Sequence, residues 1–186
     1  SHCGHPIRLL AHAAGERRAW LDMARENARH ALVAREAQAS NQEGRLAALR
    51  ESLGLGDSLQ RIECFDISHT QGEATVASCV VYDRLEMRRG EYRHFNIRDL
   101  TPGDDYAAMK QALVRRYSKL AQGEAVTPDL LLIDGGKGQL GVAKAVLEEL
   151  GLIGIAVVGV AKGPERKPGL EELWLSDKAD PVILGH

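Results

Sequence analysis

Leu130-Leu131-Leu132-Ile133-Asp134-Gly135-Gly136-Lys137-Gly138-Gln139 is an apolar run that ends on a carboxylate and turns at once on glycines. Four aliphatic residues bounded by turn formers predict a short strand buried on both faces, and Gly138 to Leu150 continues as a helix. Upstream, Ile62-Glu63-Cys64-Phe65-Asp66-Ile67-Ser68-His69 has the same character, with Asp66 closing its apolar stretch. A carboxylate at the end of such a run costs folding energy unless it is exposed at a sheet edge or binds something positive. Two of them, brought together by strand pairing, make a hard-oxygen site suited to Mg²⁺ or Mn²⁺. Metal-assisted phosphodiester chemistry uses such sites. The competing reading of Asp134 is a plain one, because Asp-Gly also makes an ordinary turn.

Working outward, Arg61 to Ile67 reads as a strand, and Glu73 to Tyr82 as its neighbour across the His69-Thr70-Gln71-Gly72 turn. Glu91 to Ile97 makes a third, so a three-strand meander is predicted. Pro102-Gly103-Asp104-Asp105 opens a helix with Tyr106, Met109, Leu113 and Tyr117 on one face, and Asp104 or Asp105 is placed to cap it. Pro128 stops that unit. After the Leu130 strand and its helix, Ile155 to Val160 is a further strand, and Leu170 to Leu175 a final edge strand. The order β-β-β-α-β-α-β describes an α/β, ribonuclease H-like mixed sheet with helices on both faces. That topology sets the first strand beside the one that follows the first helix, with Asp66 next to Asp134.

Before the meander lies a long segment, Glu16 to about Leu53, rich in the strong helix formers Ala, Arg, Glu and Leu. Trp20, Met23, Ala24, Ala28, Ala31 and Leu32 share a face, and the face resumes at Leu46, Leu49 and Leu53. A break or bend is expected between Ser40 and Gly44, and Gly54 reads as the C-terminal cap. His5 to Ala11 can form one more strand. The expected division is therefore 1–56, strand and long helix, and 57–186, the α/β domain.

The 186 residues, 44% hydrophobic and 27% charged, predict a globular chain with room for one ordinary domain and an appendage. No apolar stretch reaches the roughly 18 residues of a membrane helix, and no basic segment with an apolar core opens the sequence. Cys3, Cys64 and Cys79 show no CxxC spacing, which predicts a reducing, cytoplasmic setting and no zinc site or disulfide framework. The net charge of −2 gives no general attraction to nucleic acid, so any grip on DNA must be local. Two basic patches are available: Arg88, Arg89, Arg93, His94 and Arg98 on the presumed hairpin, and Arg115, Arg116 and Lys119 on the helix. Each also reads as a solvated face.

The loop Gly135-Gly136-Lys137-Gly138 precedes a helix, so its N–H groups can hold a phosphate, with Lys137 adding charge. It lacks the GxxxxGK[ST] spacing of a nucleotide-hydrolysing loop, which favours a DNA-backbone contact over a nucleotide cofactor. Lys162 ends another strand on the same presumed edge and is a second phosphate contact, with Arg166 and Lys167 beyond it. His69 is placed to orient a ligand or a phosphate, and equally serves as a turn residue.

Several stretches in sequence order are similar to one family. Phe65-Asp66-Ile67-Ser68-His69-Thr70-Gln71-Gly72, Pro102-Gly103-Asp104-Asp105-Tyr106-Ala107-Ala108-Met109, Leu132-Ile133-Asp134-Gly135-Gly136-Lys137-Gly138-Gln139-Leu140 and Val160-Ala161-Lys162-Gly163 resemble the C-terminal nuclease half of UvrC, the incising subunit of bacterial nucleotide excision repair. The resemblance runs from about Arg18 to Leu173. It implies an endonuclease making the 5′ incision in damaged double-stranded DNA, working with UvrB and, within the pathway, UvrA. It also implies that Asp66 and Asp134 hold the metal and that Asp105 is the third acidic position. The family's later histidine motif, Arg-Asp-Glu-Ala/Ser-His, its helix-hairpin-helix module and its N-terminal nuclease domain are not in this sequence, which predicts a fragment. Two other readings remain at this point. One is a phosphate- or nucleotide-binding α/β domain built on the Gly135 loop, and the other a non-catalytic module that docks a partner through its long helix.

Overall fold

The computed structural model describes residues 14–70, 74–101, 103–123, 125–163, 171–175 and 178–183, with only the backbone at 69, 70, 74 and 121. The strand expected at His5 to Ala11 and the turn at 71–73 lie outside the described residues. The chain divides into two compact units, Ser1–Gly44 and Arg45–His186. Helix α1 spans Glu16–Leu53 and continues through Ser40–Gly44, where a break was expected. In the first unit its side chains are solvated, with Trp20 62% and Met23 59% exposed. It is laced by pairs such as Arg18–Asp22 and His30–Glu26 at i,i+4 spacing. Good helix formers and such pairs support a solvated helix without a packed face.

The second unit is an eight-stranded mixed sheet covered on both faces. Its strands are β1 (Arg61–Thr70), β2 (Ala74–Asp83), β3 (Glu86–Met87), β4 (Arg93–Asn96), β5 (Leu130–Asp134), β6 (Ala156–Ala161), β7 (Glu172–Leu175) and β8 (Val182–Ile183). The order is β3-β2-β1-β5-β6-β7-β8, with β4 also on β2. β1 pairs antiparallel with β2 over ten positions and parallel with β5, and β5 pairs parallel with β6. The expected meander and βαβ units are therefore present. One expectation needs correction: β7 is not the edge, because β8 pairs with it.

Side chains alternate across these strands, and the alternation sets two cores. Phe65, Leu131 and Ile133 face the helices α2 (Asp105–Ala121) and α3 (Lys137–Glu149), which contribute Met109, Leu113, Tyr117, Val146 and Leu147. Ile62, Leu130, Val158, Leu173 and Leu175 face the other way, under Leu46 and Leu53 from the last turns of α1. That helix ends as its sequence suggests: Gly54 takes φ 66° and the N–H of Leu55 donates to the Arg50 carbonyl at 2.9 Å. At the start of α2 the choice between two aspartates is settled. Asp104 is the cap, accepting from the Ala107 N–H at 3.0 Å, and Asp105 is the first helical residue.

One polar group is fully enclosed on the α2 face. Glu63 on β1 has no exposure. Its carboxylate accepts from Arg61 Nη2 at 3.1 Å, from Arg116 Nε at 3.1 Å and Nη2 at 2.5 Å, and from the Tyr117 hydroxyl at 3.1 Å. Arg61 also donates to Glu91 at 2.6 Å. A buried carboxylate survives only with such a full set of donors.

Candidate active site

The parallel register aligns Ile62 with Leu130 and Phe65 with Ile133, which puts Asp66 and Asp134 side by side at the carboxyl ends of adjacent strands. Ligands of open α/β sheets bind at that end. Both residues lie on the alternate face from Phe65 and Ile133. Burial, then the charge of Asp66, then a hydrogen bond between the two carboxyls push the Asp134 carboxyl above its usual range, and Lys162 pulls it partly back. Lys162 follows β6, whose Val160 pairs with Asp134. It thus arrives at the same edge, as the sequence predicts.

Two neighbours along β1 share the face of Asp66. Ser68 donates its hydroxyl to Asp66 Oδ2 at 3.0 Å, fixing that carboxylate. Sequence reasoning missed it, although its i+2 position on a strand was the available signal. Cys64, two residues back, has its thiol pushed up to about 11 by burial and by the charges of Asp134 and Asp66, so it is a neutral wall near neutral pH. Across the sheet, Asp66 pairs with Ser78, and Ser78 with His94. The Ser78 hydroxyl and His94 Nδ1 lie 3.3 Å apart. Asp134, Asp66, Ser78 and His94 therefore form one row over four strands.

The glycine loop follows directly. Gly135 N–H donates to the Val160 carbonyl at 2.9 Å, and no side chain caps α3 at Gly136. A Cβ on Gly159 would stand 2.9 Å from the Gly135 carbonyl oxygen, and one on Gly138 would stand 2.3 Å from the Tyr106 hydroxyl. The first turns of α2 and α3 are thereby brought together, so Asp105 sits beside the helix that meets the loop. Lys137 donates to the Ala179 carbonyl at 2.7 Å and lies over the Trp174 ring at 4.3 Å. His69 is placed only as backbone in β1, opposite Thr75. Among the described residues no group of three or more His, Cys, Asp or Glu is close enough to hold an ion. Asp66 and Asp134 are brought together, and Asp105 is not brought to them.

Two results are expected from this geometry. Gly159→Ala is expected to lower stability by about 1–3 kcal/mol, because the obstruction is backbone and cannot rotate away. Thermal melts check it, and an unchanged midpoint would contradict the close approach. Asp134→Asn is expected to stabilise. The folded chain binds the Asp134 proton more tightly than the unfolded chain does, so this group favours folding below the unfolded carboxylate pKa and loses that advantage as pH rises through the raised native value. At neutral pH with divalent cations chelated, the melting point of the variant should be higher by about 1–4 °C, allowing for screening by water. The difference should shrink as pH falls below the ordinary carboxylate range, where Asp134 is protonated in the folded and the unfolded chain alike.

A carboxylate pair that repels itself, one member of it anchored by Ser68, fits a divalent cation: hard oxygen donors face one another, and Lys162 relieves only part of their mutual charge. A mixed sheet with adjacent carboxylates on its parallel strands defines the ribonuclease H-like nucleases. Residues 50–186 match the model of the UvrC RNAse H endonuclease domain, and the chain belongs to that family. It is 60% identical over 97% of its length to UvrABC system protein C of Methylobacillus flagellatus, and 63% identical over 97% to that of Nitrosomonas europaea. It spans 30% of the length of each. Among solved structures, human ENDOV overlaps 57% of this chain and 47% of its own at TM-score 0.40 and 24% identity. A. aeolicus Argonaute overlaps 67% of this chain and 18% of its own at TM-score 0.41 and 16% identity.

Proposed function

We propose that this chain carries out metal-dependent hydrolysis of a DNA phosphodiester in nucleotide excision repair, making the 5′ incision. The adjacency of Asp66 and Asp134 at the ends of β1 and β5 carries the reading. The two carboxylates hold Mg²⁺ or Mn²⁺, and a cation there supplies Lewis-acid stabilisation of the phosphate and a water of lowered pKa. Ser68 keeps Asp66 oriented toward that position. Lys162, with its positive charge beside Asp134, neutralises part of the charge on the scissile phosphate. The N–H groups of Gly136 and Gly138 and the Lys137 ammonium hold the backbone next to it. His69 orients ligand or phosphate, and Asp105 is the third acidic position. The nuclease domain is residues 57–186. Its substrate is damaged double-stranded DNA, delivered with UvrB and UvrA, and no nucleotide cofactor is required.

A crystal of the chain soaked in Mn²⁺ tests the site. Anomalous density touching both Asp66 and Asp134 is the expected result. Carboxylates that stay apart, with manganese elsewhere, would overturn it. Mapping nicks made by the full-length protein on a lesion-bearing duplex tests the polarity, with cuts confined to the 3′ side as the contrary outcome.

A further inference from the structure

The fold merges two basic patches that are separate in the sequence. On the α2 side of the sheet, next to β4, a pocket of ≈ 410 Å³ is walled by Arg61, Arg93, Arg115, Arg116 and Lys119 against Glu91, the one carboxylate among its described lining residues. A second pocket, ≈ 350 Å³, adjoins it through Arg115 and is lined by Asn96, Arg98 and Gln111. Arg61 and Arg116 are matched by Glu63 and Glu91. Among the described residues Arg93, Arg115 and Lys119 form no ion pair. Their charges are uncompensated in a chain whose net charge is −2.

These cations are built in. Arg93 Nη1 donates to the carbonyls of Gly90 and Tyr92 at 3.1 and 2.7 Å. Arg115 Nη1 donates to the Asn96 carbonyl at 2.9 Å, and its guanidinium lies 5.3 Å from the Phe95 ring centroid. Gln111 exchanges two hydrogen bonds with the backbone of Arg98, at 3.2 and 3.0 Å, fastening the strand's exit to α2. Arg61 is 4% exposed, and its buried Nε has no acceptor among the described residues. Guanidinium groups held this way present donors in a fixed fork, which suits phosphate oxygens.

We propose that this seam between β4 and α2 is a second DNA-backbone contact, on the opposite face of the sheet from the carboxylate pair, which takes phosphates of duplex DNA away from the cut. The proposal rests on the nuclease reading of the chain. Arg93 and Phe95 of β4 lie on the α2 face of the sheet, whereas the row from Asp66 through Ser78 to His94 lies on the other face, so the seam and the carboxylate pair are on opposite faces. The seam sets forked cations beside Phe95, Ala125 and Val126, and it is the fixed guanidinium forks that favour phosphate oxygens as the occupant.

Binding of a labelled duplex to the 186-residue chain in EDTA, followed by fluorescence anisotropy across a salt series, tests this apart from catalysis. The triple variant Arg93→Gln/Arg115→Gln/Lys119→Gln is compared with Lys119→Gln, which removes a charge but no hydrogen bond that packs the fold, and thermal melts verify folding. The expected result is binding at least about tenfold weaker for the triple variant at low salt. The slope of log K against log salt should fall by about 1 for each side chain removed, whatever the sequence. Equal affinity and slope in wild type and both variants would overturn the proposal. So would a polyglutamate peptide that binds wild type and not the variants while DNA binding is unchanged, since that assigns the seam to an acidic protein. Loss of nicking in carboxylate variants that keep the full salt slope leaves the two readings separable.

Discussion

Asp66→Asn and Asp134→Asn are each expected to abolish strand cleavage by the full-length protein that carries this domain, with a loss on the order of 10³-fold or more. The size follows from what each carboxylate does. Paired at the ends of β1 and β5, they make one site, so losing either leaves a cation with a half-empty cradle. The transition-state stabilisation at stake is several kcal/mol, and each 1.36 kcal/mol is a factor of ten in rate. Asparagine keeps the shape of a protonated aspartate, and Ser68 still has an oxygen to donate to at position 66, so the fold is retained. Because the two residues act as a unit, the double variant should be little slower than either single one. Single-turnover nicking of a lesion-bearing duplex, with circular dichroism as the folding check, reads this. Cleavage within tenfold of wild type in both single variants would remove the pair from the mechanism.

The largest expected effect on stability lies elsewhere, at Glu63. Replacing Glu63 by glutamine leaves Arg116, only 12% exposed, facing a neutral group, while Arg61 keeps Glu91 and Asp83. Breaking a buried ion pair on one side costs about 3–5 kcal/mol, because the orphaned cation stays out of water. The melting point should drop by about 10 °C or more. Tyr117→Phe removes one hydrogen bond from the same carboxylate and is expected to cost nearer to 1 kcal/mol. Equal melting points for Glu63→Gln and Tyr117→Phe would mean that the charge is not what holds this cluster together.

The carboxylate pair was legible because each aspartate closes an apolar run, and element order alone sets those runs side by side. What the sequence could not show depends on contacts between distant segments. Nothing in Glu63 distinguishes it from a surface strand residue until α2 brings Arg116 and Tyr117 over it. The basic hairpin and the basic helix look like two solvated faces, and only the packing of β4 beside α2 makes one groove of them. Asp104 and Asp105 both stand at a helix start, and only the backbone's entry into α2 makes Asp104 the cap. The break expected at Ser40–Gly44 does not occur, since a single glycine costs a helix about 1 kcal/mol, which flanking helix formers absorb. The two-residue β8 is too short to leave any periodicity.

The parallel pairing of β1 with β5 also sets the order in which the molecule can assemble. β1 and β2 are sequence neighbours, and their hairpin can close as soon as both have been synthesised. β5 is remote: the bond from the Arg61 N–H to the Asp129 carboxylate spans 68 residues. Loop-closure entropy must be met before such a contact forms, which makes it slow compared with the hairpin. Asp66 is therefore in a formed strand well before Asp134 reaches it. On the proposed reading, a partly folded or nascent chain has one of the two carboxylates in place and not the other, so cutting power would arrive together with the completed sheet.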